Sequence, residues 1–453
     1  MSLPTQPSQS PFSSDPSSLA QMPLLDWSPQ EPERQRFLPQ QPQSLAAAEL
    51  EEHDIVALVL KFLYLRGSQT GHAIAKQLKL NIAIVEPLLN DLKRRLLVVY
   101  SGSAMANDYV YQLTPAGLEQ ARLLAARCTY CGAAPVSLDH YHQALEQQTW
   151  KTHLPSLQEI KRAMSPLVMS DRLIGQIGQA LHVGKSLLLY GDAGNGKTSI
   201  ARRCLHSRSD TIWIPRTLTV SGEIIRLYDP AVHEAMPPRQ SSSLAPETKI
   251  DERWVEIRRP TIIVGGELTL EHLEPTVNGT TGIIEAPVHL KSNGGCLIVD
   301  DFGRQRIRPE ELLNRWIVPL ETGQENLNLP SGRQIHVRFD QLLVFSTNLS
   351  PQYLCDEAFL RRIRYKIAVP DPTPEQFQQL FAAEAARVGI DLQPAALQYL
   401  MDKFYAKHHR PQRFCHAVDL VGHAKDHIDF HGKPPVLTPE IMDIAANNYF
   451  VGQ

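Results

Sequence analysis

The 453-residue sequence lacks the long apolar run that a membrane-spanning helix requires. Such a helix takes about 20 consecutive apolar residues, and no run approaches that length although 43% of the residues are hydrophobic. The N-terminus also lacks the basic-then-apolar pattern of a secretory signal. These absences argue against membrane insertion and secretion, so we expect a cytoplasmic protein of about two to four domains.

Cysteine is scarce, and neither sign of charge dominates. The chain has six cysteines and a net charge of −3, which suits reduced thiols and implies no bulk attraction to nucleic acid. Cys128 and Cys131 have the spacing of half a zinc site, and His140 and His142 follow. Because a tetrahedral zinc site needs four convergent ligands, we interpret the two cysteines as thiols at a domain join.

A glycine-rich loop stands between an apolar run at 186–190 and the start of a predicted helix at 200–204. The pattern G-x-x-x-x-G-K-[ST] predicts a phosphate-binding loop, in which backbone N–H groups cradle the phosphates of ATP. Lys197 can reach the β- and γ-phosphates, and Thr198 can bind Mg²⁺. The predicted nucleotide-binding residues are Gly191, Asp192, Ala193, Gly194, Asn195, Gly196, Lys197, Thr198 and Ser199.

Two further apolar runs end in polar side chains that ATP hydrolysis requires. The run at 296–299 ends in Asp300 and Asp301, and the run at 342–347 ends in Asn348. A carboxylate at the tip of a buried strand can hold Mg²⁺, so we predict Thr198 and Asp300 as the metal-binding pair. Asp301 is predicted to orient the attacking water. Asn348 can hydrogen-bond that water or the γ-phosphate.

Two adjacent arginines, Arg361 and Arg362, follow the segment 351–359. An arginine close to the γ-phosphate stabilises the charge of the transition state, most usefully in the site of a neighbouring subunit. Taken alone, such a pair is more often a solvated face. We predict that one of the two is catalytic, with a slight preference for Arg362.

The order of these four motifs resembles that of the AAA+ ATPases over residues 150–453. The resemblance implies an α/β fold, namely a P-loop αβα core with a helical lid. It also implies ATP and Mg²⁺ as ligands and a homo-oligomeric ring, often a hexamer. Two positions depart from the family pattern. Asp301 stands where the family usually has Glu, and Val418 where the lid arginine belongs, so Arg413 and Arg410 are candidates to replace it.

The N-terminal third divides into three predicted parts. Residues 1–47 are rich in Pro, Gln and Ser and are predicted to be a disordered tail, with an apolar island at 22–27 as a candidate docking motif. Residues 50–127 show three helices, two strands and a fourth helix, a pattern that resembles the winged-helix fold. Residues 128–150 read as a connector.

The rest of the chain divides into the predicted ATPase core, 151–369, and the predicted helical lid, 370–453. The core contains a β-rich insert at about 211–290. Its glycine-rich part after residue 265 looks like the helix-interrupting insert of the AAA+ branch that includes MoxR-type ATPases. The segment 327–337 reads as a hairpin, where that branch has a second pore hairpin.

These expectations combine into a hypothesis about function. The chain is expected to be an ATP hydrolase that couples ATP binding and hydrolysis to the remodelling of a protein partner. Winged-helix domains commonly bind DNA, but the start of the third helix carries an acid and no Lys or Arg. Protein docking is therefore favoured over DNA binding. The alternatives are a DNA-binding regulator and a nucleotide-switched scaffold with weak turnover.

Overall fold

The computed structural model describes residues 37–104, 108–150, 154–184, 186–208, 210–237, 249–354 and 360–450. Over these ranges no helix combines the length and the apolar character needed to cross a membrane. The apolar island at 22–27 lies outside them. The chain builds an N-terminal helical unit, a β-rich unit, a parallel-sheet core and a C-terminal helical unit, and each has buried apolar clusters.

The N-terminal unit contains α1 Glu52–Arg66, β1 Gln69–Thr70, α2 Gly71–Leu78, α3 Ile82–Arg94, β2 Val98–Ser103, β3 Tyr109–Leu113 and α4 Pro115–Arg127. The three helices, two strands and fourth helix predicted for this region are all present, with the short strand β1 in addition. Side chains of Thr70, Asn81 and Thr114 cap the starts of α2, α3 and α4 by accepting backbone N–H bonds, which satisfies donors that a helix start leaves open. The short strand β1 completes an antiparallel sheet in the order β1-β3-β2.

The elements of the remaining chain are these. First come β4 Val136–Ser137, α5 Leu138–Gln147, α6 Leu157–Met164, α7 Asp171–Val183, β5 Leu187–Tyr190 and α8 Lys197–Arg203. Then come β6 Thr211–Pro215, β7 Thr217–Val220, β8 Glu223–Arg226, β9 Trp254–Arg258, β10 Thr261–Val264, β11 Thr276–Val277, β12 Ile284–Glu285 and α9 Val288–Lys291. Next are β13 Cys296–Val299, α10 Pro309–Thr322, β14 Gln324–Asn328, β15 Gln334–Arg338, β16 Leu342–Thr347 and β17 Tyr365–Ala368. The last are α11 Pro374–Arg387, β18 Asp391–Leu392, α12 Pro394–Leu400, α13 Phe414–His431, β19 Val436–Leu437 and α14 Pro439–Tyr449.

The core is a five-stranded sheet in the order β10-β13-β16-β5-β17, with every neighbouring pair parallel. The three central strands, β13, β16 and β5, are mainly apolar and buried along almost their whole length, as expected where both faces of a sheet are covered. The edge strand β17 contains the exposed Lys366. Leu187 and Leu189 pack with α6 and α7 on one face, and Leu188 packs with Trp316 of α10 on the other. The predicted αβα layering of the core is therefore present.

The β-rich unit differs from the predicted insert in two respects. Strand β10 pairs in parallel with β13, so residues 261–264 belong to the core sheet and not to the insert. The segment predicted as a connector supplies β4 and α5, and β4 pairs with β7 at the edge of a sheet ordered β11-β12-β8-β7-β4. An isolated apolar run does not reveal which sheet it will join, so sequence could not separate these strands.

Residues 37–47 correct the predicted extent of the disordered tail. The Asp251 N–H donates to the Pro39 carbonyl at 2.9 Å, and the Gln41 N–H donates to the Lys249 carbonyl at 2.8 Å. The Phe37 ring lies 5.4 Å from the Trp254 ring. This polar segment is ordered because it pairs with a neighbouring backbone edge, a long-range contact that composition does not report.

The predicted hairpin at 327–337 is confirmed as β14 and β15, which pair in antiparallel register. Leu327 and Val337 on its inner face are buried with Trp254 in the core of the β-rich unit. The hairpin is thus packed along one face in this chain.

The C-terminal unit is helical, as predicted, with α11–α14 around one apolar cluster. A π-helical turn, Met401–Ala406, extends α12. Phe377 and Phe381 are fully buried in this cluster, and their ring centroids lie 5.9 Å apart.

Candidate functional site

The glycine-rich loop leaves the core sheet at the end of β5. Gly191, Gly194 and Gly196 have φ values of 141°, 83° and 76°, a region that glycine adopts at little cost. A Cβ on Gly191 would lie 2.4 Å from the Val369 carbonyl oxygen, and one on Gly194 would lie 2.3 Å from the Cys415 Sγ. The loop can therefore take this path only with glycine at those positions.

Lys197 stands at the first turn of α8 and is almost fully buried, with 6% of its surface exposed. Its Nζ donates to the Gly191 carbonyl at 2.9 Å, to the Asp192 carbonyl at 2.8 Å and to Asn348 Oδ1 at 2.6 Å. Burial lowers the pKa of Lys197, while Asp301 and Asp300 oppose that shift. The ammonium is thus held inside the loop where a phosphate would sit.

The predicted metal-binding pair is in direct contact. Thr198 Oγ1 lies 3.0 Å and 2.9 Å from the two carboxylate oxygens of Asp300. Asp300 is fixed through its backbone, since its N–H donates to the Val264 carbonyl at 2.8 Å and its carbonyl accepts from Gln305 Nε2 at 2.8 Å. A hydroxyl beside a carboxylate is an oxygen-only ligand set, which suits Mg²⁺.

Asp301 and Asn348 meet beside the lysine. Asn348 Nδ2 donates to Asp301 Oδ1 at 3.3 Å, while its Oδ1 accepts from Lys197. Asp301 has a φ of 49°, a left-handed conformation that is uncommon for a residue other than glycine. Asp301 and Asn348 lie close together because they follow neighbouring strands of the sheet, β13 and β16. Val299 of β13 pairs with Phe345 of β16, and Thr347 of β16 pairs with Tyr190 at the end of β5.

The two predicted arginines lie just before β17. Arg361 is exposed, and the side chain of Arg362 is 30% exposed and donates through Nε to Glu321 Oε1 of α10 at 2.8 Å. The loop residues Ala193 and Ser199 are also exposed. The structure brings Lys197, Thr198, Asp300, Asp301 and Asn348 together, whereas Arg362 contacts α10.

The C-terminal unit reaches the loop through residues that the motif patterns did not single out as site residues. Asp371 accepts from Asn195 Nδ2 at 2.6 Å and from Arg413 Nη1 at 2.7 Å. Arg413 Nη1 also lies 2.6 Å from Asp192 Oδ2. Arg413 was one of two candidates for the lid arginine, but nothing in the sequence indicated Asp371.

Two more contacts decide between the candidates for the lid arginine. The Cys415 N–H donates to the Gly194 carbonyl at 2.9 Å, so the start of α13 rests on the loop. Val418 is 45% exposed, and the Arg410 guanidinium lies 3.7 Å from the centroid of the Phe450 ring. Of the two, Arg413 is the arginine that touches the loop.

Comparison with known proteins identifies little at the level of sequence. Residues 373–448, which cover most of the C-terminal unit, match a family described as a domain of unknown function (DUF8689). No curated protein matches the chain.

Solved structures show weak similarity. One is NtrX from Brucella abortus in complex with ATP, at 14% identity and a TM-score of 0.40, covering 63% of this chain and 57% of NtrX. Another is the Thermotoga maritima RuvB Holliday junction branch migration motor, at 10% identity and a TM-score of 0.38, covering 64% of this chain and 72% of RuvB. The chain thus spans little more than half of the NtrX length. Similarities this low assign no family or activity to it.

Proposed function

We propose that this chain is an AAA+ ATPase that binds ATP with Mg²⁺ and hydrolyses it. The observation that carries the proposal is the convergence of Lys197, Thr198, Asp300, Asp301 and Asn348 at the carboxyl edge of one parallel sheet. Ligands of open α/β sheets bind at that edge. These five side chains are the cation, hydroxyl, carboxylates and amide that phosphoryl transfer to water requires.

Each residue has a defined task in this proposal. The loop N–H groups and Lys197 bind the phosphates, and Thr198 and Asp300 hold Mg²⁺, which when bound neutralises charge on the phosphate oxygens. Asp301 accepts a proton from the attacking water, and Asn348 positions that carboxylate through its amide. Because aspartate is one methylene shorter than glutamate, we expect slow turnover.

The test is ATP binding and turnover by Lys197→Ala. Without the ammonium contacts to the β- and γ-phosphates, we expect affinity or rate to fall by about tenfold or more. Calorimetry with ATP and a phosphate-release assay measure the two quantities. Lys407→Ala, which removes an exposed lysine of the C-terminal unit, is the matched control. A folded Lys197→Ala variant with unchanged affinity and rate would remove the P-loop assignment.

We further propose that the N-terminal unit, as a winged-helix-like domain, selects a protein client that the ATPase remodels. The basic residues at the end of α3 are engaged within the unit. Arg95 pairs with Asp91 and Glu52, Arg94 pairs with Asp91, and the Lys93 Nζ lies 3.6 Å from the centroid of the Tyr100 ring. Such contacts reduce the charge available for phosphate contacts, which supports protein docking over DNA binding.

Three measurements separate this role from its alternatives. Capture of proteins by Asp301→Asn, which should bind ATP and hydrolyse it poorly, supports remodelling if the captured protein is released by the active enzyme. Salt-dependent DNA binding by the full chain supports the regulator instead. Tight ATP binding with negligible turnover supports a nucleotide-switched scaffold.

A further inference from the structure

A cleft lies between the N-terminal unit and the β-rich unit, apart from the glycine-rich loop that contains Lys197. Its volume is about 430 Å³, and it is lined by Ala73, Lys76, Gln77, Lys79, Ala133 and Arg216. One wall is α2, and the other is formed by the segment after Cys131 and by the residue that precedes β7. A ligand in this cleft would touch both units.

The cleft is cationic although the chain as a whole carries a net charge of −3. Three of its six lining residues are Lys or Arg, and none is Asp or Glu. One carboxylate, that of Glu252, lies beside the cleft: its Oε2 is 2.8 Å from the Lys79 Nζ, and its side chain is 64% exposed. Even with Glu252 beside Lys79, the positive charges of Lys76 and Arg216 remain in the cleft.

Arg216 is held in place before any ligand arrives. Its Nε donates to the Glu252 carbonyl at 3.3 Å, and its guanidinium lies 5.7 Å from the centroid of the Tyr228 ring. Its carbonyl accepts from the N–H groups of Leu227 and Tyr228. A guanidinium already restrained by a ring contact and one hydrogen bond loses less freedom when its remaining donors bind an oxyanion.

The lining also indicates the size and kind of the ligand. Ala73 and Ala133 have short side chains, and Gln77 uses its Nε2 to donate to the Cys131 carbonyl at 2.9 Å. No aromatic residue lines the cleft, so it offers no platform for stacking a base. The lining therefore suits a compact anion rather than a nucleoside or a single strand of nucleic acid.

We propose that this cleft binds a compact phosphate-bearing ligand, with diphosphate as its simplest representative. The cations of Lys76, Lys79 and Arg216 supply charge-assisted hydrogen bonds to phosphate oxygens. A cation near the C-terminus of α2 also offsets the helix dipole, which gives Lys76 a second role. That effect does not account for Arg216, which lies on a different element.

The affinity for pyrophosphate is measured by calorimetric titration into the full chain, at low salt and without Mg²⁺. All variants carry Lys197→Ala, which weakens phosphate binding at the glycine-rich loop. We expect Lys76→Gln with Arg216→Gln to lower the affinity for pyrophosphate by about tenfold or more. The control, Arg122→Gln with Lys407→Gln, removes the same charge from exposed positions and should change the affinity less than about twofold.

Two outcomes would overturn the proposal. The first is that both double variants bind pyrophosphate with the same affinity, either both as tightly as the Lys197→Ala parent or both more weakly. The cleft residues would then have no specific role. The second is that a single-stranded DNA oligonucleotide binds more tightly than pyrophosphate and displaces it, and that this binding requires Lys76 and Arg216. Thermal unfolding checks that each variant is folded. ATP turnover, measured with Lys197 intact, reports on the ATPase proposal separately.

Discussion

The ammonium of Lys197 donates hydrogen bonds to the glycine-rich loop itself and to Asn348. Two backbone carbonyls and one amide oxygen surround its ammonium, so the charge stays compensated when no phosphate is present. Nucleotide must replace these partners with phosphate oxygens. Because the ammonium is already desolvated, its interaction with a phosphate is stronger than that of an exposed lysine.

Asp300 is the residue whose loss should separate binding from hydrolysis. Asp300→Asn keeps the size of the side chain and its distance to Thr198 but removes the negative charge that attracts Mg²⁺. We expect the Mg²⁺-dependent rate to fall at least about tenfold, with a smaller change in the affinity for ATP. Rate against Mg²⁺ concentration and ATP affinity without Mg²⁺ measure the two effects. Wild-type turnover would mean that the metal is held elsewhere.

His416 should make the C-terminal unit sensitive to acid. Burial lowers the pKa of His416 to about 4 from 6.5, and Arg413 and Arg410 add to the shift. Its Nδ1 lies 2.9 Å from the Tyr405 hydroxyl, which donates to it when the ring is neutral. The unfolded chain therefore binds the proton more readily than the folded chain between pH 6.5 and about 4.

The sign follows from this difference in proton binding. The stabilisation by neutral His416 is complete above pH 6.5 and is lost as the pH falls towards 4. Urea unfolding at about pH 7 and about pH 5 should show a decrease in the free energy of unfolding that is smaller in His416→Gln. An equal decrease in both proteins would assign the acid sensitivity to other groups.

At the scale of elements, the start of α13 and the glycine-rich loop form one contact. Arg413 joins Asp192 of the loop and Asp371 of the segment after β17, and the Cys415 N–H donates to the Gly194 carbonyl. Any movement of the C-terminal unit away from the core must break these bonds. The contact therefore couples the position of α13 to the state of the loop.

Removing Arg413 tests this coupling. Arg413→Ala leaves Asp192 and Asp371 without that cation beside the phosphate site, and their charge would then repel ATP. We expect the affinity for ATP to fall by about tenfold and the Cys415 amide to exchange faster with solvent. Arg410→Ala, which removes the cation over the Phe450 ring, is the control and should leave ATP affinity within about twofold. Equal effects of both substitutions would contradict the coupling.

The same contact shows where prediction from sequence stops. The glycine-rich loop, the acidic strand and the Asn348 strand were predictable because each is a local pattern of an apolar run followed by a polar residue. Asp371 was not predictable, since its role depends on Arg413 lying opposite it after the chain has passed through α11, β18 and α12. Residues 261–264 were assigned to the β-rich insert although they pair with the core sheet as β10, because pairing partners are not a local property.

At the scale of the whole molecule, the N-terminal unit and the β-rich unit are joined through buried charge. The Asp251 and Arg253 side chains are each 1% exposed and 2.7 Å apart. Arg253 Nη1 also donates to the carbonyls of Ala48 and Pro135. In sequence, Ala48 precedes the first helix of the N-terminal unit and Pro135 follows its last helix. A buried arginine with all these partners is costly to expose, so we expect the two units to move together.

The adjacent arginines Arg361 and Arg362 are the candidates for a residue that acts in the site of a neighbouring subunit. Arg362 contacts Glu321 on α10 within its own chain, and Arg361 is exposed; these positions leave room for action at a neighbouring subunit. A guanidinium stays charged and presents a rigid set of donors, which stabilises charge spread over the γ-phosphate oxygens in the transition state. If one of the two arginines acts across an interface, turnover must depend on assembly.

Mixing two inactive variants is the decisive measurement. Arg362→Ala retains an intact phosphate site, and Lys197→Ala retains an intact arginine, so a mixed assembly places both at some interfaces. We expect specific activity to fall on dilution of the wild-type protein, and the mixture to regain part of the turnover that each variant lacks. Arg364→Ala, at an exposed position two residues further on, is the matched control and should stay active alone. A concentration-independent rate from a monomer of uniform mass, with no recovery on mixing, would refute the role across subunits and leave a site that works within one chain.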